Sequence, residues 1–172
     1  YFLDPNGGGQ KTMDGDKTRR IALGALFIAA TVVATKIQVP VPSYRIYFNL
    51  SEALIYTAAL CMGARIGAIS GAVGAGLAEL IGAYSFWTPI TIVIKGVEGY
   101  VVGRLSRDGT LGSSIKAVIA GAIVMIIGYA LAVWLIVGWV AVPAEIGIDI
   151  AQTGIGGLIA IPVSRRLKKV RF

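Results

Sequence analysis

The chain has 172 residues, of which 56% are hydrophobic and 15% are charged, and its formal net charge is +7. A soluble domain usually contains about 25% charged residues, so this composition indicates a protein that folds in a lipid bilayer. The sequence has no histidine and one cysteine, Cys61. These counts exclude an internal disulfide, a Cys/His zinc site and catalysis that depends on histidine.

The N-terminal residues are polar and rich in glycine, and we expect a flexible tail at residues 1–18 followed by one membrane domain at residues 19–172. The first apolar run, about residues 21–39, comes directly after Arg19 and Arg20. No cleavable small-residue site follows this run, which therefore predicts a retained transmembrane helix.

Five more apolar runs follow the proline-containing loop PVPSYRIYFN. The stretch 50–83 is too long for one span, and MGARIG marks a turn within it. YSFWTP precedes the fourth span, and SRDGTLGSS follows it. The predicted spans are about 50–62, about 66–83, a fourth that follows the YSFWTP turn and runs to about residue 105, about 115–142 and about 146–163. Four spans are the alternative if the 50–83 stretch is re-entrant.

Basic residues set the predicted orientation. KTRR precedes the first span and RRLKKVR follows the last, so the number of spans is even if both ends are cytoplasmic. Six spans then also bring these residues to the cytoplasmic side: Arg65, Arg104, Arg107 and Lys116. The predicted fold class is an all-α membrane protein with six transmembrane helices in one bundle and with cytoplasmic N and C termini.

Charged residues inside the spans need a physical reason, because a charge at the bilayer centre costs about 2.5–3.5 kcal/mol on insertion scales. Lys95 and Glu98 lie three residues apart in TIVIKGVEGYVVGRL, on one side of the fourth span. They either neutralise each other, or Lys95 forms the floor of a ligand cavity, or the pair relays protons. Glu52 and Glu79 lie near the outer ends of their spans.

The outer side of the predicted bundle also carries aromatic, amide and hydroxyl groups. Such groups suit stacking and edge recognition of a flat heterocycle, although interfacial aromatics also form the ordinary membrane belt. Asp149 adds a further polar group at this end. We expect the substrate-binding residues to be Tyr44, Arg45, Tyr47, Asn49, Glu52, Glu79, Tyr84, Trp87, Lys95 and Gln152.

Small residues recur at helix-packing spacing. Ala25 and Ala29 are four residues apart in the first span, and two glycine rows follow in later spans. Most rows of this kind are contacts between helices within a bundle. The glycine rows are Gly63, Gly67 and Gly71 in one span, and Gly99 and Gly103 in another.

The sequence contains no P-loop, no nucleophile elbow and no cluster of catalytic carboxylates. We therefore expect neither an enzyme nor a bound cofactor or metal, and ATP hydrolysis has to come from partner subunits. The basic residues flank apolar runs, which is a topology signal and not a sign of nucleic-acid binding.

The segment FNLSEALIYTAALCMGARIGAISGAVGAGLAELIGAYSFWTPITIVIKGVEGYVVGRL resembles the substrate-binding S components of energy-coupling factor (ECF) vitamin transporters, in the riboflavin/hydroxymethylpyrimidine-type subgroup. The resemblance extends over residues 19–166 and is strongest over 48–105. Its features are the Phe–Asn–Leu entry to the second helix, the GARIGAISGAVG hairpin, the aromatic turn and the IKGVEGYVVG helix.

The resemblance implies a six-helix protein of a prokaryotic cell membrane that binds a vitamin near the extracellular side beneath a lid between the first two helices. It implies docking on a transmembrane T component with two ATPase subunits, and the family's Ala-x-x-x-Ala docking motif matches Ala25 and Ala29. It also favours a structural role, or a role shared across the subgroup, for Lys95 and Glu98. Riboflavin is the first expected ligand, and a pyrimidine or pyridoxine-like vitamin is the alternative.

Two other functions fit the composition. The chain could be an autonomous small-solute secondary transporter that uses Lys95 and Glu98, which predicts uptake by the chain alone. It could instead be a purely structural membrane subunit, which predicts no saturable binding of a small molecule.

Overall fold

Six helices form most of the computed structural model, which describes residues 8–40, 47–82 and 85–169. The predicted all-α class is confirmed. The helices are α1 (Gly8–Lys36), α2 (Ser51–Met62), α3 (residues 64–80), α4 (Thr88–Leu105), α5 (Leu111–Ile136) and α6 (Val142–Lys169).

The helix α3 is continuous but not uniform. It begins as an α-helix at Ala64–Ile69, widens to a π-helix at Ser70–Ala75 and returns to an α-helix at Gly76–Leu80. Gly63 separates α2 from α3 with a φ of 87°, a conformation that glycine adopts without steric cost. The turn predicted at MGARIG is therefore present.

The break between the last two helices lies earlier than the sequence predicted. Gly138, with a φ of 111°, and a short 3₁₀ turn at Trp139–Ala141 connect α5 to α6. The predicted break at Pro143 is wrong, because a proline in the first turn of a helix gives up no hydrogen bond. At the other end of the chain, α1 already begins at Gly8, so residues 8–18 of the predicted tail are helical.

A two-stranded ladder follows α1. β1 (Val39–Pro40) pairs antiparallel with β2 (Tyr47–Phe48), with Val39 opposite Phe48. The ladder joins the two ends of the predicted lid loop, and residues 41–46 between the strands lie outside the described residues.

The surface is apolar and the interior carries many polar groups, which is the arrangement of a protein surrounded by lipid. Leu158 is 77% exposed and Ile21 is 72% exposed, whereas Glu52 and Glu98 are fully buried. Among the described residues, three helical segments are long and apolar enough to cross a membrane: Lys17–Lys36, Leu111–Ile136 and Trp139–Lys169.

The predicted glycine rows form the contact between α3 and α4. A Cβ added at Gly67 would collide with the carbonyl oxygen of Gly99, and one added at Gly71 would collide with the carbonyl oxygen of Lys95. A Cβ added at Gly103 would likewise collide with the backbone of Ala64. Absence of side chains at these positions therefore lets the two backbones touch and fixes the position of Lys95 relative to α3.

Candidate functional site

A buried cavity lies where α2, α4 and α6 begin, beside β2 and the end of α3. Its free volume is about 30 Å³, which is room for about two water molecules. Its described lining consists of Thr35, Tyr47, Asn49, Ser51, Ala75, Glu79, Trp87, Thr91, Lys95, Met125, Tyr129, Glu145, Asp149 and Gln152.

Most of the predicted substrate-binding residues surround this cavity, and their role in binding stays a prediction. Glu52 is the exception among the described ones: it is buried behind Lys95 and does not form part of the lining. Three further predicted residues, Tyr44, Arg45 and Tyr84, lie outside the described residues. Those on the lining are Tyr47, Asn49, Glu79, Trp87, Lys95 and Gln152.

Lys95 is at the centre of the polar interior and is 3% exposed. Its ammonium group contacts the carboxylate of Glu52, and Glu98 Oε2 lies 3.5 Å from Lys95 Nζ. The Nζ atom is also 3.0 Å from Met125 Sδ and 5.4 Å from the ring centroid of Tyr129. A cation in this position is stabilised by two carboxylates and by the face of an aromatic ring.

The expected pairing of Lys95 with Glu98 is present, and Lys95 also has a closer carboxylate partner on a neighbouring helix. The shorter ion pair of Lys95 is with Glu52, and Glu98 Oε1 instead accepts a hydrogen bond of 2.6 Å from the Tyr56 hydroxyl. The physical reason is that α2 packs against α4, so a carboxylate from another helix reaches Lys95 more directly than one on the next turn.

The opposite wall of the cavity is acidic. Glu145 and Asp149 lie one turn apart on α6, and Glu79 comes from the end of α3. The hydroxyl of Tyr47 donates to Glu79 Oε1. The buried Oδ2 of Asp149 has no hydrogen-bond partner among the described residues, and neither has Glu79 Oε2. Within the described part of the chain, these oxygens are available to a ligand or water.

The segment after β2 is fastened to the cavity wall. The backbone N–H of Asn49 donates a hydrogen bond to Gln152 Oε1 at 2.5 Å. The side-chain oxygen Oδ1 of Asn49 accepts a hydrogen bond from the backbone N–H of Ser51 at 2.8 Å. Together with the contact between Tyr47 and Glu79, these bonds connect the end of the predicted lid to both α3 and α6.

Sequence reasoning missed several lining residues. Glu145 was not selected, although it is one turn before Asp149 and two turns before Gln152 on the same helix face. Thr91 likewise lies one turn before Lys95, and its Oγ1 accepts a 3.1 Å hydrogen bond from the Tyr129 hydroxyl. The i,i+4 spacing to already selected polar residues was the available signal. The other missed residues are Thr35, Ser51, Ala75, Met125 and Tyr129.

Ala25 and Ala29 are not part of the cavity lining and lie on the surface of α1. Both side chains are exposed, and so are the neighbouring side chains of Ala22 and Val33. The two alanines therefore form part of an outward-facing strip and do not contribute to packing within the bundle.

Residues 15–169 match the family model described as ECF-type riboflavin transporter, S component. The chain belongs to this family. It is thus an integral membrane protein and a substrate-binding component of a vitamin transporter, and the family is not one of enzymes.

Two relatives and one solved structure are similar to this chain. A Lactococcus lactis protein named thiamine precursor transporter HmpT is 29% identical over 161 residues, which cover 92% of this chain and 93% of the relative. An uncharacterised Pyrococcus woesei protein is 34% identical over 142 residues, covering 82% of this chain and 95% of that one. The structure of the S component of a bacterial ECF transporter superposes with a TM-score of 0.69 at 19% identity, covering 90% of this chain and 98% of that chain, which shows a shared fold.

Proposed function

We propose that this chain binds a small nitrogen heterocycle of the vitamin class and delivers it to an ECF module, whose T component and two ATPase subunits drive uptake. The observation that carries the proposal is the buried polar cavity within an S-component fold. Its wall combines carboxyl groups, an amide and aromatic rings in an otherwise apolar bundle, as small-molecule sites commonly do.

We further propose that all six helices cross a prokaryotic cell membrane, with residues 19–172 as the transmembrane domain and both termini in the cytoplasm. The basic residues near Arg20, Arg104 and Lys168 support this orientation through the positive-inside rule. The cavity then faces outward. The helix α2 has only 12 residues, about 18 Å, but nine of them are buried, so α2 is surrounded by protein and need not match the lipid thickness.

The segment between β1 and β2 is proposed to act as the lid. Its described end is fixed to the cavity wall through Tyr47 and Asn49, which touch Glu79 and Gln152. Both contacts lie on the cavity lining, so a heterocycle that enters from the lid side has to pass them. Release of the two contacts would open the cavity from the lid side.

The charge distribution favours a ligand with N–H donors. Glu52 and Glu98 both lie against Lys95, so the carboxyl groups of Glu79, Glu145 and Asp149 are the ones left for the ligand. The family description names riboflavin and the name of the Lactococcus relative gives a thiamine precursor. An aminopyrimidine offers amino donors and a ring nitrogen that binds a proton, whereas the flavin ring edge presents mainly acceptors. We propose the aminopyrimidine class, with riboflavin as the alternative.

The test is to purify the full chain, identify any co-purified ligand by mass and absorbance, and titrate hydroxymethylpyrimidine, riboflavin and pyridoxine by calorimetry. Hydroxymethylpyrimidine should bind at least about tenfold more tightly than riboflavin, a difference of about 1.4 kcal/mol. A yellow preparation with bound flavin would overturn the ligand class. Lack of saturable binding by any of the three would leave the structural-subunit function in its place.

Variants of the acidic wall test the same proposal. Asp149→Asn should weaken hydroxymethylpyrimidine binding by about tenfold or more, because a carboxylate acceptor is lost. Asp108→Asn, a substitution of an exposed acidic residue in the loop before α5, is the matched control and should bind normally.

Reconstitution separates the proposal from an autonomous transporter. In proteoliposomes the chain alone should bind ligand without sustained uptake, and uptake should require the T component, the ATPases and ATP. Uptake by the chain alone under an ion gradient would favour the secondary transporter that uses Lys95 and Glu98.

A further inference from the structure

A second cavity, of about 600 Å³, opens at the opposite end of the bundle, where α2, α4 and α6 end and α3 begins. We call it the basic cavity, since five cationic side chains contribute to its lining: Arg20, Arg65, Arg104, Arg107 and Lys168. These residues come from α1, α3, α4, the loop after α4 and α6, so the fold collects them from five separate segments.

The charge of the basic cavity is uncompensated within the described part of the chain. None of the five cationic residues forms an ion pair with a described residue, and the described lining contains no aspartate or glutamate. Like charges around one space repel one another, so an anion bound between them is stabilised. Arginine guanidinium groups in particular form paired hydrogen bonds with phosphate oxygens.

An apolar strip leads into the same cavity along the outer surface of α4. Val93, Val97 and Tyr100 are 63%, 46% and 48% exposed and follow one another at four- and three-residue spacing toward Arg104. The strip from Val93 to Arg104 is about 16 Å long, comparable to much of an acyl chain. Tyr100 belongs both to the strip and to the cavity lining, so the apolar track and the basic cavity are continuous.

We propose that the basic cavity binds the phosphate headgroup of an anionic membrane lipid, whose hydrocarbon chain lies along the Val93–Val97–Tyr100 strip. The charge of the cavity selects an anion, and the adjoining strip selects a lipid over a soluble phosphate. Basic pockets at the membrane surface between helices are suited to such headgroups because they add electrostatic attraction to chain packing. This binding site is separate from the vitamin cavity and from the Ala25/Ala29 strip.

The experiment uses the full chain in detergent with lipid titrated in and the bound fraction measured by native mass spectrometry. Phosphatidylglycerol, phosphatidylcholine and soluble glycerophosphoglycerol are the three probes. Phosphatidylglycerol should saturate a tight site and bind at least about tenfold more strongly than either other probe. Equal binding of phosphatidylcholine would overturn the charge argument, and equal binding of glycerophosphoglycerol would show a soluble-anion site without a lipid track.

Two double variants distinguish lipid binding in the basic cavity from a general effect of the protein's net charge. Arg65→Gln/Arg104→Gln removes two cavity charges and should weaken phosphatidylglycerol binding by about tenfold or more. Lys116→Gln/Arg166→Gln removes two exposed charges that are not on the cavity lining and should change binding by less than about twofold. Equal losses in the two variants would refute the site. The melting temperature of each variant checks that it has folded.

Discussion

Lys95 on α4 forms its shortest ion pair with Glu52 on α2, 43 positions earlier in the chain. The interaction connects two helices through the polar interior, so a charge that is costly in lipid becomes a constraint on how the helices pack. Glu98 completes the cluster from the next turn of α4.

Loss of the cation should destabilise the bundle. Lys95→Met should lower the free energy of unfolding by about 3–5 kcal/mol, because it leaves Glu52 and Glu98 buried without a countercharge. Adding Glu52→Leu to this variant should restore part of the stability, since one uncompensated carboxylate is then removed. Chemical unfolding in detergent measures both, with Lys116→Met, an exposed substitution, as the control. Additive losses in the double variant would refute the coupling.

The hydrogen bond between Tyr56 and Glu98 predicts a smaller effect. Tyr56→Phe removes the hydroxyl that donates to a fully buried carboxylate, so stability should fall by about 1–3 kcal/mol. Tyr100→Phe is the matched control, because Tyr100 is 48% exposed, and its unfolding free energy should stay within about 0.5 kcal/mol of the parent. Similar losses in both variants would show that the hydroxyl at Tyr56 has no special role.

The close approach of α3 and α4 predicts a sharp difference between two glycines. Gly71→Ala places a methyl group against the carbonyl of Lys95 and should cost about 1–3 kcal/mol of stability. Gly154→Ala introduces the same methyl group into α6 where no heavy atom lies within 4 Å, so it should be neutral or slightly stabilising. The comparison needs only melting temperatures. A stable Gly71→Ala variant would mean that the helices can separate without loss.

The outward-facing alanines predict a defect in assembly without a defect in ligand binding. Ala25→Trp or Ala29→Trp should block co-purification with the T component, because a bulky ring prevents close contact between helices. Both variants should fold and bind the vitamin normally. Ile123→Trp enlarges an exposed apolar position on α5 and serves as the control for a bulky surface residue. Normal assembly of both alanine variants would exclude this strip as the docking surface.

The sequence predicted six helical segments and their order because long apolar runs and glycine- or proline-containing turns are local signals. It also selected six residues that surround the cavity, since polar groups in apolar helices are conspicuous. The ion-pair partner of Lys95 could not be predicted from the neighbouring sequence, because Glu52 belongs to another helix that comes near Lys95 only when the bundle packs. Glu145 was missed for a related reason: its position beside the predicted break at Pro143 made it look like part of a loop.

The π-helical turn in α3 has a consequence for register. Each residue of an α-helix turns the chain by 100°, and a π-turn accommodates about one additional residue without lengthening the path in proportion. Residues 64–69 are held against α4 by Gly67, so the π-turn at Ser70–Ala75 decides which way Glu79 points. Deleting one residue from this turn would restore a regular helix and leave Glu79 facing Tyr47, whereas a regular α-helix that kept all the residues would rotate the Glu79 carboxylate by about a quarter of a revolution, away from Tyr47. A homologous chain that lacks the extra residue would therefore present the equivalent side chain to the ligand from a regular helix.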